Sequence, residues 1–106
     1  MYYVYILKCA DGSYYTGSTS DLSSRVVEHE MGLIPKAYTR SRRPVKLVWF
    51  DTFPSRDDAI ERERQIKGWS RRKKVALIRN DWEEIHQIVQ EERKRREAEE
   101  KKKSKR

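Results

Sequence analysis

The length of one loop constrains this chain more than any other feature. In YYVYILKCADGSYYTGS, residues 2–18, two runs rich in tyrosine and β-branched residues flank Asp11-Gly12. Runs of that kind bounded by turn residues read as paired strands. Side chains alternate faces along a strand, so the loop length decides which tyrosines share a side. A two-residue loop at Asp11-Gly12 sends Tyr5 and Tyr15 to opposite faces. A three-residue loop, Ala10-Asp11-Gly12 with Gly12 in the left-handed conformation, sets Tyr15 opposite Leu7 and Gly17 opposite Tyr5, all on one face. In that register Gly17 is expected to leave open space over the Tyr5 ring, room for a ligand. Any one of these tyrosines, taken alone, is an ordinary strand residue.

The rest of the chain reads as alternating helix and strand signals. Thr19-Ser20-Asp21 supplies cap residues for a helix from about Leu22 to Met31, stopped by Gly32. A basic loop, IPKAYTRSRRP, follows with Pro35 and Pro44 as breakers, and VKLVWFDT (45–52) is a third strand. Ser55 with Asp58 three residues on opens a helix to about Lys67, closed by Gly68. Ser70 caps another helix to about Arg79, and from Trp82 the apolar residues Trp82, Ile85, Ile88 and Val89 keep a helical spacing. The order ββαβααα predicts one α+β domain over residues 1–90, a small three-stranded antiparallel sheet flanked by helices. Residues 91–106, EERKRREAEEKKKSKR, hold nine Lys/Arg and five Glu. They read as a charged tail, either a solvated helix laced with Glu–Lys and Glu–Arg pairs or a disordered segment.

Charge narrows the partners. A net charge of +8 with 40% charged residues favours a polyanion, and for a soluble domain that is first of all nucleic acid. No basic helix carries the continuous apolar face that membrane-surface binding needs. A single cysteine, Cys9, excludes an internal disulfide and a thiolate zinc site and fits a reducing compartment. With no apolar run of transmembrane length and no signal-peptide pattern, the expected location is cytoplasmic.

Several polar groups stand out. Arg25 and His29 lie one helical turn apart and project from the same side, next to the core-facing Leu22 and Val26. Taken singly, Arg25 reads as a surface charge and His29 as a surface or capping residue. In SRDDAIERERQIKGW the inward stripe includes Ala59, Ile60, Ile66 and Lys67, and Glu63 falls at its centre. A carboxylate there is costly unless it is paired or bound to a cation. Two readings stand on pattern alone: an ion pair with Arg25 or Lys67, or a metal ligand. Lys36, Arg40, Arg42 and Arg43 in the basic loop, and Arg71, Arg72, Lys73 and Lys74 further on, are candidate phosphate-backbone contacts. Tyr38, Trp49 and Trp69 can stack on a base, although a strand tryptophan such as Trp49 more often packs in the core.

Together these motifs resemble the GIY-YIG nuclease superfamily, in particular its small single-domain bacterial proteins, over roughly residues 2–82. Tyr3-Val4-Tyr5 stands at the first motif with tyrosine for glycine, and Tyr15-Thr16-Gly17 at the second with threonine for isoleucine. Arg25 matches the family arginine, His29 a position held by histidine or tyrosine, Glu63 the metal-binding glutamate, and Asn80 an asparagine that supports the site. Ser18 stands where some relatives carry lysine. The resemblance implies hydrolysis of DNA phosphodiester bonds with one divalent ion, Mg²⁺ or Mn²⁺, on Glu63. Arg25 is then a phosphate ligand, Tyr5 the candidate base, and Tyr15 and His29 its helpers. No added specificity domain is visible, so structure-selective cleavage is expected, with room for a partner protein that supplies specificity. The oligomeric state stays open. The substituted glycine and Ser18 keep an alternative in play: a nucleic-acid-binding module that retains the fold without cleaving.

Overall fold

The computed structural model describes the backbone of residues 1–104 and the side chains through residue 102. It divides into two compact units, Met1–Trp69 and a second that begins at Ser70.

In the first unit, β1 (Tyr2–Lys8) and β2 (Tyr14–Thr19) form the hairpin, and β3 (Lys46–Phe53) pairs with the other edge of β1, giving the antiparallel order β2-β1-β3. The hairpin takes the three-residue loop: Tyr5 faces Gly17 and Leu7 faces Tyr15. Gly12 closes the turn at φ 83°, and Asp11 accepts hydrogen bonds from the Ser13 amide and hydroxyl. An irregularity between Ile6 and Leu7 in the pairing with β3 leaves Val48 as an extra residue. A bulge of this kind resets the alternation. It lets both Leu47 and Phe50, three residues apart, share the side of the sheet that carries Leu7 and Tyr5.

Two helices cover the two faces. Helix α1 (Leu22–Met31) is capped by the Asp21 carboxylate on the Ser24 amide and ended by Gly32 in the left-handed conformation. Its Leu22 and Val26 pack on a cluster of Tyr5, Leu7, Cys9 and Val45. Helix α2 (Arg56–Lys67), capped by Ser55 on the Asp58 amide, buries Ala59 and Ile66. Through Glu63 it reaches Ser18, which alternation places with Val4, Ile6 and Thr16 on the opposite face. Unlike Gly32, Gly68 ends its helix with an ordinary right-handed φ of −81°.

In the second unit, α3 (Arg71–Ile78) is capped by Ser70, and α4 runs from Trp82 to Ser104 without a break at position 90. Ile85 and Ile88 are buried. Arg72 bridges Glu84 and Glu91, and Lys73 pairs with Glu92. Among the described residues no helix is long and apolar enough to cross a membrane.

Candidate functional site

The hairpin register places Tyr5 and Tyr15 side by side toward α1, with ring centroids 6.3 Å apart. Gly17 serves them differently from the sequence expectation. A Cβ at that position would lie 2.5 Å from the Tyr5 hydroxyl and 3.1 Å from the Tyr15 ring. The space over Gly17 is therefore filled by the Tyr5 phenol itself. Glycine is required so that this side chain can cross β2 toward the sheet edge.

His29 enters from the last turn of α1. It is neither a surface nor a capping residue: it is 2% exposed, and its Nε2 lies 3.0 Å from the Tyr5 hydroxyl. Its Nδ1 lies 2.6 Å from Thr39 Oγ1, and Thr39 is itself buried. The Tyr15 ring packs on the imidazole at a centroid distance of 5.0 Å. Burial holds the imidazole below its ordinary pKa, Arg25 adds to that, and Glu28 opposes it. The ring is thus neutral at pH 7 and able to accept a proton. Burial pushes the Tyr5 phenol well above its usual range; Tyr15 and Glu63 push the same way and Arg25 opposes. Nearby positive charge does not produce a resting tyrosinate, because desolvation outweighs it.

Thr39 reaches His29 because the loop after α1 is tied back to the hairpin. Arg42 donates to Asp11 and to the Tyr38 carbonyl, and the Ala10 amide donates to the Arg42 carbonyl. The guanidinium of Arg42 also covers the Tyr38 ring at 3.7 Å, while Tyr15 stacks on the same ring with centroids 6.3 Å apart. Arg42 is thus a brace within the fold, while Tyr38 stays 42% exposed. Arg43 donates to the Arg40 carbonyl, and Lys36 and Arg40 are exposed.

Glu63 approaches the same edge from α2. Its Oε1 accepts a hydrogen bond from Ser18, and Lys67 Nζ lies 2.5 Å from its Oε2. The carboxylate is only 17% exposed, while the Lys67 side chain is 50% exposed, so Lys67 sits outside the inward stripe where the sequence put it. The α1 and α2 sides converge at the β2 edge, where Ser18 and Arg25 line one cavity. Arg25 is half-exposed, and its carboxylate partner is Glu28 at 3.7 Å.

Among the described residues no cluster of three or more His, Cys, Asp or Glu is gathered. A single carboxylate still suits a hard ion such as Mg²⁺, which keeps several waters and takes one or two carboxylates plus substrate phosphates. Glu63 fits that use: Ser18 fixes one oxygen, and the other already accepts a cation, the half-exposed Lys67 ammonium.

The remaining sequence candidates lie in the second unit. Asn80, at φ 57°, accepts from Trp82 Nε1 at 2.6 Å. Arg72 and Lys73 are engaged with α4 carboxylates and Lys73 is buried, whereas Arg71 is exposed and Lys74 part-buried. Sequence reasoning missed Thr39, which has no periodic signature. It read Ser18 only as a departure from the lysine of some relatives, whereas Ser18 holds Glu63.

Comparison with known proteins identifies the family. Residues 1–76 match the family model described as the GIY-YIG catalytic domain. A UPF0213 protein of Staphylococcus saprophyticus is 47% identical over 77 residues, which are 73% of this chain and 93% of that one. A UPF0213 protein of Bacillus pumilus is also 47% identical, over 73% of this chain and 78% of its own length. The solution NMR structure of a UPF0213 protein from Bacillus halodurans superposes with a TM-score of 0.50 at 45% identity, covering 76% of this chain and 86% of that one. A structure from E. faecalis gives 0.52 at 32% identity, over 74% and 83%. The hairpin tyrosines, the helix arginine and histidine, and the glutamate of α2 stand on a fold shared with these relatives, and the chain belongs to the GIY-YIG family of the nuclease superfamily.

Proposed function

We propose that this chain is a divalent-metal-dependent endonuclease that hydrolyses phosphodiester bonds in DNA, selecting structure rather than sequence. One observation carries the reading: the Tyr5 phenol is joined to a neutral, buried His29 that is held in turn by Thr39. A surface that only binds nucleic acid has no need of such a proton path.

In this reading the Tyr5 oxygen takes a proton from the attacking water as its own proton passes to His29 Nε2. The tautomer that permits this has Nδ1–H donating to Thr39 Oγ1, which leaves Nε2 as acceptor. Coupling the two transfers removes the need for a free tyrosinate, which burial disfavours. Arg25 offers a fork of donors to the phosphate oxygens, and Tyr15 walls the approach of the water. Glu63 would hold Mg²⁺ or Mn²⁺, with Lys67 swinging out to solvent and Ser18 fixing the carboxylate. Such an ion, when bound, stabilises charge on the phosphate and on the leaving oxygen. Lys36, Arg40, Arg43, Arg71 and Lys74 are the candidate cations for backbone contacts, which position a duplex without reading it.

The test is incubation of the full chain with branched, flapped and plain duplex DNA in Mg²⁺, Mn²⁺ or EDTA. Nicking that requires the metal, prefers branched or flapped DNA, and is lost in Glu63→Gln while DNA binding is kept is the expected result. Cleavage undiminished in EDTA or in Glu63→Gln overturns the metal assignment. Binding that weakens steeply with salt, with no substrate cut, points instead to a non-catalytic nucleic-acid module.

A further inference from the structure

We propose that the cavity at the start of α2 is a subsite for a second phosphate of the substrate strand, one that flanks the scissile phosphate, with Arg56 as its main ligand. The cavity measures about 270 Å³ and is lined by Tyr2, Ser18, Thr19, Ser20, Arg25 and Arg56, over a floor formed by α2. Arg56 belongs to neither basic run in the sequence. It stands alone, at the first position of its helix.

Two arginines from different helices therefore line one small space, and among the described residues no acidic one lines it. Among the described residues the one ion pair of Arg25 is with Glu28 at 3.7 Å, on its own helix. Among the described residues Arg56 has no hydrogen bond or ion pair, and it is exposed. Like charges facing a common space repel unless an anion fills it, and a phosphate matches the forked donors of arginine. The hydroxyl inventory favours the same ligand. Thr19 Oγ1 is engaged with the Asp21 backbone and Ser18 with Glu63, which leaves the exposed Ser20 hydroxyl and the part-buried Tyr2 phenol to reach an anion.

The placement argues for a polynucleotide rather than a free anion. Ser18 touches Glu63, and Arg25 weighs on the Tyr5 phenol, so this cavity adjoins the position where the scissile phosphate is expected. A strand whose reacting phosphate lies between Tyr5 and Glu63 carries its neighbour into reach of Arg56. The assignment of the neighbour as flanking the scissile phosphate rests on the nuclease reading. The presence of a phosphate subsite does not.

The experiment measures binding of a fluorescent flapped oligonucleotide to the full chain by anisotropy across a salt series. It uses wild type, Arg56→Gln and Arg56→Lys, with thermal unfolding to verify that each variant is folded. Arg56→Gln is expected to weaken binding about tenfold and to lower the salt slope by about one. Arg56→Lys, which keeps the charge and loses the fork, falls between. A single uncharged methylphosphonate is then walked along the strand. At the linkage next to the cleaved bond, wild type and Arg56→Gln should bind alike. Unchanged affinity and slope in Arg56→Gln, or a defect that persists with every methylphosphonate, overturns the subsite. If wild type cuts nothing, the nuclease reading fails, while the salt series and the methylphosphonate scan by binding still decide whether Arg56 holds a phosphate.

Discussion

On the α1 side of the sheet, Tyr5 and His29 are 2% exposed and Thr39 1%, and each polar atom meets a neutral partner. On the α2 side, Glu63 keeps partial access to solvent, Lys67 is half in water, and Arg56 is unpaired among the described residues. The first group is completed by folding. The second is a set of charges whose present partners are a small hydroxyl and a half-exposed ammonium, so that an ion or a phosphate can replace them. A buried, satisfied polar network is costly to disturb because a lost partner leaves an unpaired atom in low dielectric. An open ion pair is worth little to stability. Activity and stability should therefore be coupled on the α1 side and separate on the α2 side.

Paired substitutions give the sharpest way to break this comparison. Tyr5→Phe is expected to lower the rate of nicking by about 10³-fold, within the span of a general acid–base group. It should also lower stability by about 1–3 kcal/mol, because His29 Nε2 loses its donor inside the protein. Glu63→Gln should cost about 10²–10³ in rate while stability stays within about 1 kcal/mol of wild type, since an amide oxygen can still accept from Ser18. Urea midpoints measured beside single-turnover rates decide the matter. If Glu63→Gln proves the less stable of the two, the division between the halves is wrong.

A finer cut lies within the α1 group. Thr39 touches no substrate in the proposed reaction and acts through His29, as an outer residue orients an imidazole. Thr39→Val should slow the chemical step about tenfold with KM little changed, and Thr39→Ser should restore it. A KM effect, or failure of serine to rescue, would mean that Thr39 only packs.

The same network sets a pH dependence. His29 has its pKa depressed in the fold, chiefly by burial, so the unfolded chain takes up the proton first as pH falls. Its contribution to stability is complete above about pH 6.5 and is lost as pH drops through the folded value, by about 1.4 kcal/mol for each unit of depression. Tyr5 is shifted upward, so its contribution is lost only as pH rises beyond about 10. The groups weighing on His29 are Arg25, which deepens the depression, and Glu28, which opposes it. Asp11 and Asp21, held low by Ser13 and Ser24, act further down the scale. Denaturation midpoints at pH 7.5 and 5.5 should differ in wild type, and the difference should shrink in His29→Gln. An equal slope in both removes His29 as its source.

The residues that were legible in the sequence are those whose position follows from a local rule. Loop parity tied the length of the hairpin loop to whether Tyr5 and Tyr15 share a face, Asp21, Ser55 and Ser70 announced three helix starts, and Glu63 stood out as a charge on an apolar stripe. Thr39 escaped because its place depends on Arg42 tying a long loop to Asp11, a contact across 31 residues with no periodicity to betray it. The burial of His29 escaped with it, since its outer partner is that same threonine. Arg56 looks like any other arginine until the cavity beside it is seen. Gly17 was read for the space it leaves, whereas its value lies in what Tyr5 puts there.

Thr16 offers the smallest effect and a control for all of the above. It sits in the middle of β2, 3% exposed, opposite Ile6 and on the face away from Tyr5. Its Oγ1 is buried without a hydrogen-bond partner among the described residues. A hydroxyl in that state contributes desolvation cost and no compensating bond. Valine has nearly the same shape and replaces the hydroxyl by a methyl group, and it suits a central strand position. Thr16→Val is therefore expected to raise stability by about 1 kcal/mol with nicking unchanged, because no part of the proposed chemistry passes through that face of the strand. A urea midpoint that falls would show that Oγ1 is satisfied in solution. A change in cleavage without a change in stability would show that the α2 face of β2 is coupled to the site more closely than Ser18 alone provides.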